Sequence, residues 1–225
     1  MRRRPTGRTR VHGASGDPWG AADATWHRRD VDRGPRRGDR PDCGLSSRPA
    51  RVPLDEAREI GLHEGRMRDR YEELGEGARE HVLPSLGAAA RADCATLFEQ
   101  FLGDAGNFAY RAVVIHSDLG GRHVLMDGTP RAVGIIDYGS ACIGDPAGDF
   151  RPALFDFGEE FTRELLADYG HDDPDRAVRN AYFCRVAGAI GGWLEGVREG
   201  AEWKIDNKRD ALRHALTAYT ERPGA

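Results

Sequence analysis

From about residue 50 onward, apolar residues recur every three or four positions, which is the period of an α-helix. The first stripe consists of Met67, Tyr71, Leu74, Ala78 and Val82. It predicts one helix that ends at Pro84, because proline lacks the N–H that would continue the helical hydrogen bonds. A second stripe, between residues 90 and 102, predicts another helix that Gly103 closes.

Short continuous apolar runs replace the helical stripes near the middle of the chain. Residues 112–115 are typical of a buried strand. Residues 123–126 and 132–136 are two further runs, and the Asp-Gly-Thr-Pro segment between them favours a turn. These two runs therefore predict a β-hairpin.

Helices return after the hairpin. The pairs Asp145-Pro146 and Asp173-Pro174 each combine a capping carboxylate with a proline in the first turn, and both predict the start of a helix. Residues 159–169 and 208–220 are predicted as further helices. The expected fold is mainly α with one small β-hairpin element, an α+β arrangement.

Residues 1–50 differ in composition from the rest of the chain. They contain twelve arginines and six aspartates, no glutamate and no lysine, and only Val11, Val31 and Leu45 from the Leu/Ile/Val/Phe set. This small apolar surface cannot offset the entropy that the chain loses when it becomes ordered. We therefore predict a disordered tail. A mis-assigned start of the coding sequence would give the same mixture. Residues 51–222 are expected to form the folded part.

Several classes of protein are excluded or disfavoured by composition. No stretch approaches 18 apolar residues, so we expect no membrane span. The basic start is not followed by an apolar segment, which argues against a secretory signal. The four cysteines are scattered without a CxxC pair, as in a reducing compartment. We expect a cytoplasmic protein, and a solvated tail is favoured over a nucleic-acid-binding one.

Residues suited to catalysis gather around the predicted hairpin. His116 and Asp118 directly follow an apolar run, His123 begins the first hairpin strand, and Asp137 ends the second. Since the start of one strand and the end of its antiparallel neighbour lie together, these side chains are expected to meet. Such a group suits a divalent cation or a carboxylate base. Ordinary turn caps, or a metal-dependent hydrolase site, would use the same residues.

Three sequence blocks resemble the aminoglycoside phosphotransferase family, in the same order and spacing. They are His116-Ser117-Asp118-Leu119-Gly120-Gly121-Arg122-His123-Val124-Leu125, Gly134-Ile135-Ile136-Asp137-Tyr138-Gly139 and Gly144-Asp145-Pro146-Ala147-Gly148-Asp149-Phe150. The resemblance covers about residues 54–220. It implies the C-terminal lobe of a protein-kinase-like fold. The implied reaction is transfer of the γ-phosphoryl group of ATP or GTP to a hydroxyl of an aminoglycoside-like or other small substrate.

The resemblance also implies a role for each residue. Asp118 would be the catalytic base, and His116 would brace its loop by hydrogen bonding. Asp137 would bind Mg²⁺. His123 occupies the position where the family usually has an asparagine that ligates a second magnesium. Because imidazole is a softer ligand than an amide oxygen, His123 would weaken that site or shift its preference toward Mn²⁺.

One expected part of such a kinase is not found in the sequence. The family covers its nucleotide with an N-terminal lobe that carries a phosphate-binding lysine. The only lysines are Lys204 and Lys208, and no strand is predicted before residue 112. We therefore expect the N-terminal lobe to be missing, which leaves a non-catalytic remnant or binding module as an alternative. The resemblance further implies that Asp145 and Asp149 are structural and anchor a helix.

Overall fold

The apolar stripes of the sequence form helices in the computed structural model, which describes residues 52–126 and 132–222. The predicted tail, residues 1–50, and the predicted hairpin turn, residues 127–130, lie outside the described residues. The helices are α1 Leu54–Glu59, α2 Met67–Gly77, α3 Ala88–Gly103, α4 Arg151–Asp156, α5 Glu159–Tyr169, α6 Pro174–Glu199 and α7 Glu202–Thr220. No helix within these ranges is long and apolar enough to cross a membrane.

The predicted helices are confirmed, with two differences at their ends. Helix α2 continues into a π-helical turn, Ala78–Val82, and a 3₁₀ turn, Leu83–Ser85, so the helical run ends at Ser85, one residue after the predicted end at Pro84. Helix α7 begins at Glu202, earlier than the predicted residue 208. The short helix α1 was not predicted, because six residues are too few to show a helical period.

Helices α2, α3, α6 and α7 enclose the larger hydrophobic core. Phe183 of α6 stacks on Phe101 of α3 with ring centroids 3.5 Å apart, and Tyr71 of α2 meets both rings edge to face. Trp193 is buried further along α6. These aromatic contacts hold α2, α3 and α6 together as one helical layer.

Within residues 52–126 and 132–222, the structure has two small antiparallel sheets where the sequence predicted one hairpin. Strands β2 Val124–Met126 and β3 Ala132–Ile135 pair as predicted, with Val124 opposite Ile135. The other sheet pairs β1 Val113–Ile115, which lies within the predicted strand of residues 112–115, with β4 Cys142–Gly144, a strand that was not predicted. A three-residue strand gives no alternation to recognise, and its pairing depends on the tertiary fold. The mainly helical fold class is confirmed, with this second sheet added.

Both predicted Asp-Pro helix starts are confirmed. Asp145 Oδ1 accepts a hydrogen bond from Ala147 N at 3.0 Å, although the turn that it caps, Pro146–Phe150, is 3₁₀ rather than α. Asp173 Oδ1 accepts from Arg176 N at 2.9 Å and caps α6. Asp145 Oδ2 also lies 3.2 Å from Nη1 of Arg176, in an ion pair whose two side chains are each only 9% exposed.

Candidate functional site

The candidate site lies where β1 ends and the β2–β3 hairpin begins. Residues 116–123, which we call the site loop, connect β1 to β2. Two residues at the site have left-handed backbone conformations. Ser117 in the site loop has a φ of 68°, and Asp137, just after β3, has a φ of 66°. Left-handed geometry costs an L-residue about 1–2 kcal/mol, so surrounding contacts must hold it in place.

His116 links the site loop to the segment that carries Asp137. Its ring is buried, and its Nε2 lies 2.9 Å from the carbonyl oxygen of Ile136. A carbonyl can only accept, so the proton is on Nε2 and Nδ1 is free to accept from Asp118 N at 3.3 Å. One neutral imidazole thus connects the backbones on either side of the site.

Asp149 holds the other side of the same loop. Its two carboxylate oxygens accept hydrogen bonds from His116 N at 2.9 Å and from Ser117 N at 2.8 Å. Burial raises the pKa of Asp149, and the two backbone N–H groups oppose that rise. The resemblance implies that Asp149 anchors a helix. The structure corrects this, because the carboxylate anchors the site loop.

We expect Asp149→Ala to destabilise the protein by about 1–3 kcal/mol, because it leaves two backbone N–H groups without their acceptor. Urea unfolding measures this change. Asp149→Asn keeps one acceptor oxygen and should lose less. Equal stability of Asp149→Ala and the unmodified protein would show that the loop does not depend on these bonds.

His123 lies between the two site carboxylates. The structure corrects its predicted place in the hairpin: it ends a 3₁₀ turn, Gly121–His123, and β2 begins one residue later. Its Nδ1 donates to the carbonyl oxygen of Asp118 at 2.7 Å. Its Nε2 lies 3.5 Å from Oδ2 of Asp137, and its Nδ1 lies 3.9 Å from Oδ2 of Asp118. The fold thus brings His116, Asp118, His123 and Asp137 together.

The donor atoms at Asp137 and His123 fit a divalent cation. Because His123 Nδ1 donates to a carbonyl, as in metal-bound histidines, its Nε2 carries a lone pair, and this nitrogen lies 3.5 Å from Oδ2 of Asp137. Within the described ranges, no group of three or more His, Cys, Asp or Glu side chains is arranged to hold a metal. Magnesium is usually held by one or two protein ligands, and water and substrate phosphates supply the rest. Two protein ligands are therefore enough for a magnesium site of this kind.

Arg122 is a further residue of the site, and sequence reasoning missed it. Its Nη2 donates to both oxygens of Asp118, at 2.9 and 2.7 Å, and its Nε donates to His123 Nε2 at 3.1 Å. The spacing of four residues between Asp118 and Arg122 was the available signal. A single exposed arginine beside a motif gives no other indication of its partner.

The carboxylates of the site are open to solvent. The Asp118 side chain is 48% exposed and that of Asp137 is 65% exposed. A cavity of about 350 Å³ lies beside the loop, with Ser117 and Arg151 among its lining residues, but none of Asp118, His123 and Asp137 lines it. The Asp118 and Asp137 carboxylates are therefore accessible to solvent and to small molecules in the described structure.

Comparison with known proteins gives a consistent result. The model of the phosphotransferase enzyme family matches residues 4–182. Viomycin phosphotransferase of Streptomyces vinaceus is 41% identical over 71 residues, which are 30% of this chain and 25% of that protein. The solved GDP complex of wild-type aminoglycoside 2′-phosphotransferase-IIIa is similar with a TM-score of 0.69 and 28% identity, over 74% of this chain and 56% of that one.

A second solved structure, macrolide 2′-phosphotransferase type I, is similar with a TM-score of 0.58 and 25% identity, over 72% of this chain and 54% of that one. The chain thus spans about half the length of these solved structures and a quarter of the viomycin enzyme. The range that matches the family begins among the residues that the structure does not describe.

Proposed function

Because the chain belongs to the phosphotransferase enzyme family, we propose that it transfers the γ-phosphoryl group of a nucleoside triphosphate to a hydroxyl of a small molecule. The observation that supports this most directly is the meeting of Asp118, His123 and Asp137 at one end of the hairpin. Phosphoryl transfer asks a protein mainly for positioning and charge neutralisation, and these three residues offer both.

In this proposal Asp118 is the catalytic base. Its carboxylate is exposed, while the loop that carries it is fixed from both sides by His116 and Asp149. One Asp118 oxygen orients the acceptor hydroxyl and takes its proton as the hydroxyl oxygen bonds to the γ-phosphorus. The bond from that phosphorus to the β–γ bridging oxygen breaks in the same step, and the nucleoside diphosphate leaves. The fixed loop supplies the positioning, because a base that moves by an ångström loses much of its effect.

Asp137 and His123 would hold the divalent ion, Mg²⁺ or Mn²⁺. When bound, the ion would neutralise charge on the triphosphate. The donor is ATP or GTP, and one similar structure is a GDP complex. The acceptor class that the names of the relatives suggest is a hydroxylated antibiotic of the aminoglycoside, macrolide or viomycin kind.

The experiment that tests this proposal is metal-dependent nucleotide binding by the full 225-residue chain. We expect a non-hydrolysable ATP or GTP analogue with Mg²⁺ to raise the melting temperature, because a ligand that binds only the folded state stabilises it. Asp137→Asn should lose the part of the shift that depends on the metal. Asp210→Asn, at an exposed pair on α7, is the matched control and should keep it.

A non-catalytic binding module of the same fold is the second candidate, and one observation favours it. Both oxygens of Asp118 are engaged by Arg122, so the proposed base is occupied as the structure stands. A folded protein with no melting shift and no transfer of labelled γ-phosphate to the antibiotics above would favour this candidate. Ester hydrolysis that needs a metal but no nucleotide would instead support the metal-dependent hydrolase alternative.

A further inference from the structure

Arg122 contacts two residues that have a role in the proposed reaction, Asp118 and His123. Its guanidinium binds the Asp118 carboxylate through both oxygens, and its Nε donates to Nε2 of His123. Over the ranges 52–126 and 132–222, Arg122 is the only Arg or Lys side chain that hydrogen-bonds or pairs with Asp118, His123 or Asp137. One side chain therefore engages both the proposed base and a proposed metal ligand.

These contacts are incompatible with the working state of the site. The Nε2 lone pair of His123 cannot accept from Arg122 and bind a cation at the same time. Likewise, a guanidinium that donates to both Asp118 oxygens competes with an acceptor hydroxyl for them. Arg122 must therefore release His123 before a cation binds there, and its release from Asp118 frees the base.

Release of Arg122 costs little. The Arg122 side chain is 65% exposed and that of Asp118 is 48% exposed. Solvent-exposed ion pairs between residues four apart contribute weakly to stability. The long arginine side chain can therefore move to another anion without disturbing the buried parts of the loop.

The anion within reach would be the phosphate group itself. The acceptor hydroxyl held by Asp118 must face the phosphorus atom, and the guanidinium starts 2.7 Å from that carboxylate. A guanidinium binds phosphate through two parallel hydrogen bonds, which a lysine cannot do. Of the two lysines in the chain, Lys204 of α7 pairs with Glu195 and Glu199 of α6.

We propose that Arg122 is the phosphate-binding cation of this site, which exchanges Asp118 for the phosphoryl group that is transferred. This inference rests on the proposed function. It adds that the site loop itself supplies a cation to the triphosphate. The exchange also couples phosphate binding to activation of the base. When Arg122 binds the phosphoryl group, it releases Asp118, which can then act as the base.

The test compares Arg122→Gln and Arg122→Lys with the unmodified chain. Calorimetry with a non-hydrolysable ATP or GTP analogue and Mg²⁺ measures binding, and steady-state kinetics measures transfer. We expect Arg122→Gln to weaken analogue binding at least tenfold and to lower kcat, and Arg122→Lys to recover part of both. Arg213→Gln is the matched control, an exposed arginine paired with Asp210, and should change neither.

Two results would overturn the proposal in distinguishable ways. If the unmodified chain binds the analogue and Arg122→Gln binds it equally well or transfers phosphate faster, Arg122 is a latch on the base and not a phosphate ligand. If the unmodified chain binds no analogue, the proposed function fails and the role of Arg122 fails with it. The proposal is supported if Arg122→Gln binds the analogue more weakly than the unmodified chain does and the control Arg213→Gln does not.

Discussion

Asp118→Asn is expected to lower the rate of phosphoryl transfer by a factor of about 10² to 10⁴, the range that a general base contributes. An amide has nearly the shape of a carboxylate, but it cannot take the proton of the acceptor hydroxyl. A transfer assay with labelled γ-phosphate gives kcat for both proteins. Substrate binding should change much less than the rate, because the lost interaction belongs to the transition state.

The fold of Asp118→Asn should remain intact. The contacts that its side chain makes are with exposed Arg122 and at 3.9 Å with His123, and the loop is held by other groups. Asp156→Asn is the matched control, because Asp156 Oδ2 accepts from Gly121 N at 3.2 Å in the same loop without reaching the base. Full activity in Asp118→Asn would remove Asp118 from the role of base.

The helices and the hairpin could be predicted because their signals are local. An apolar period of three to four residues marks α2 and α3, and a turn between two apolar runs marks β2 and β3. The β1–β4 sheet could not be predicted in this way. Its partners are separated by the whole hairpin, and each strand has only three residues, so the pairing is decided by contacts that no local pattern records.

The candidate site could be predicted in part, and for a physical reason. Antiparallel pairing fixes which strand ends lie together, so the closeness of His123 and Asp137 follows from the hairpin, and the short connection from residue 116 to residue 123 keeps His116 and Asp118 near them. Arg122 and Asp149 needed the structure. Asp149 is 33 residues from His116, and its hydrogen bonds to the loop depend on how the turn after β4 packs.

The same turn connects the site to the buried ion pair of Asp145 and Arg176. Asp145 caps the 3₁₀ turn Pro146–Phe150, which carries Asp149, and Asp149 in turn holds the site loop. Arg176 lies at the start of α6. The Asp145–Arg176 pair therefore attaches the turn that supports the site loop to α6. A substitution in this pair should affect both the geometry of the site and the free energy of unfolding.

We expect Asp145→Ala to destabilise the protein by about 3 kcal/mol, since the buried charge of Arg176 then keeps only its 3.8 Å contact with Asp173. Its side chain and that of Arg176 are each 9% exposed, so water cannot replace the lost contact. The loss of the cap on Ala147 N adds about 1 kcal/mol. Urea unfolding followed by circular dichroism measures the free energy of unfolding.

The control for Asp145→Ala is Asp210→Ala, which breaks an ion pair with Arg213 whose side chains are 67% and 69% exposed. Because exposed pairs contribute about 0–1 kcal/mol, this variant should unfold nearly as the unmodified protein does. Arg176→Met with Asp145→Leu removes both charges together and should recover part of the loss. If Asp145→Ala costs no more than Asp210→Ala, the buried pair does not hold the turn, and the support of the site loop must come from elsewhere.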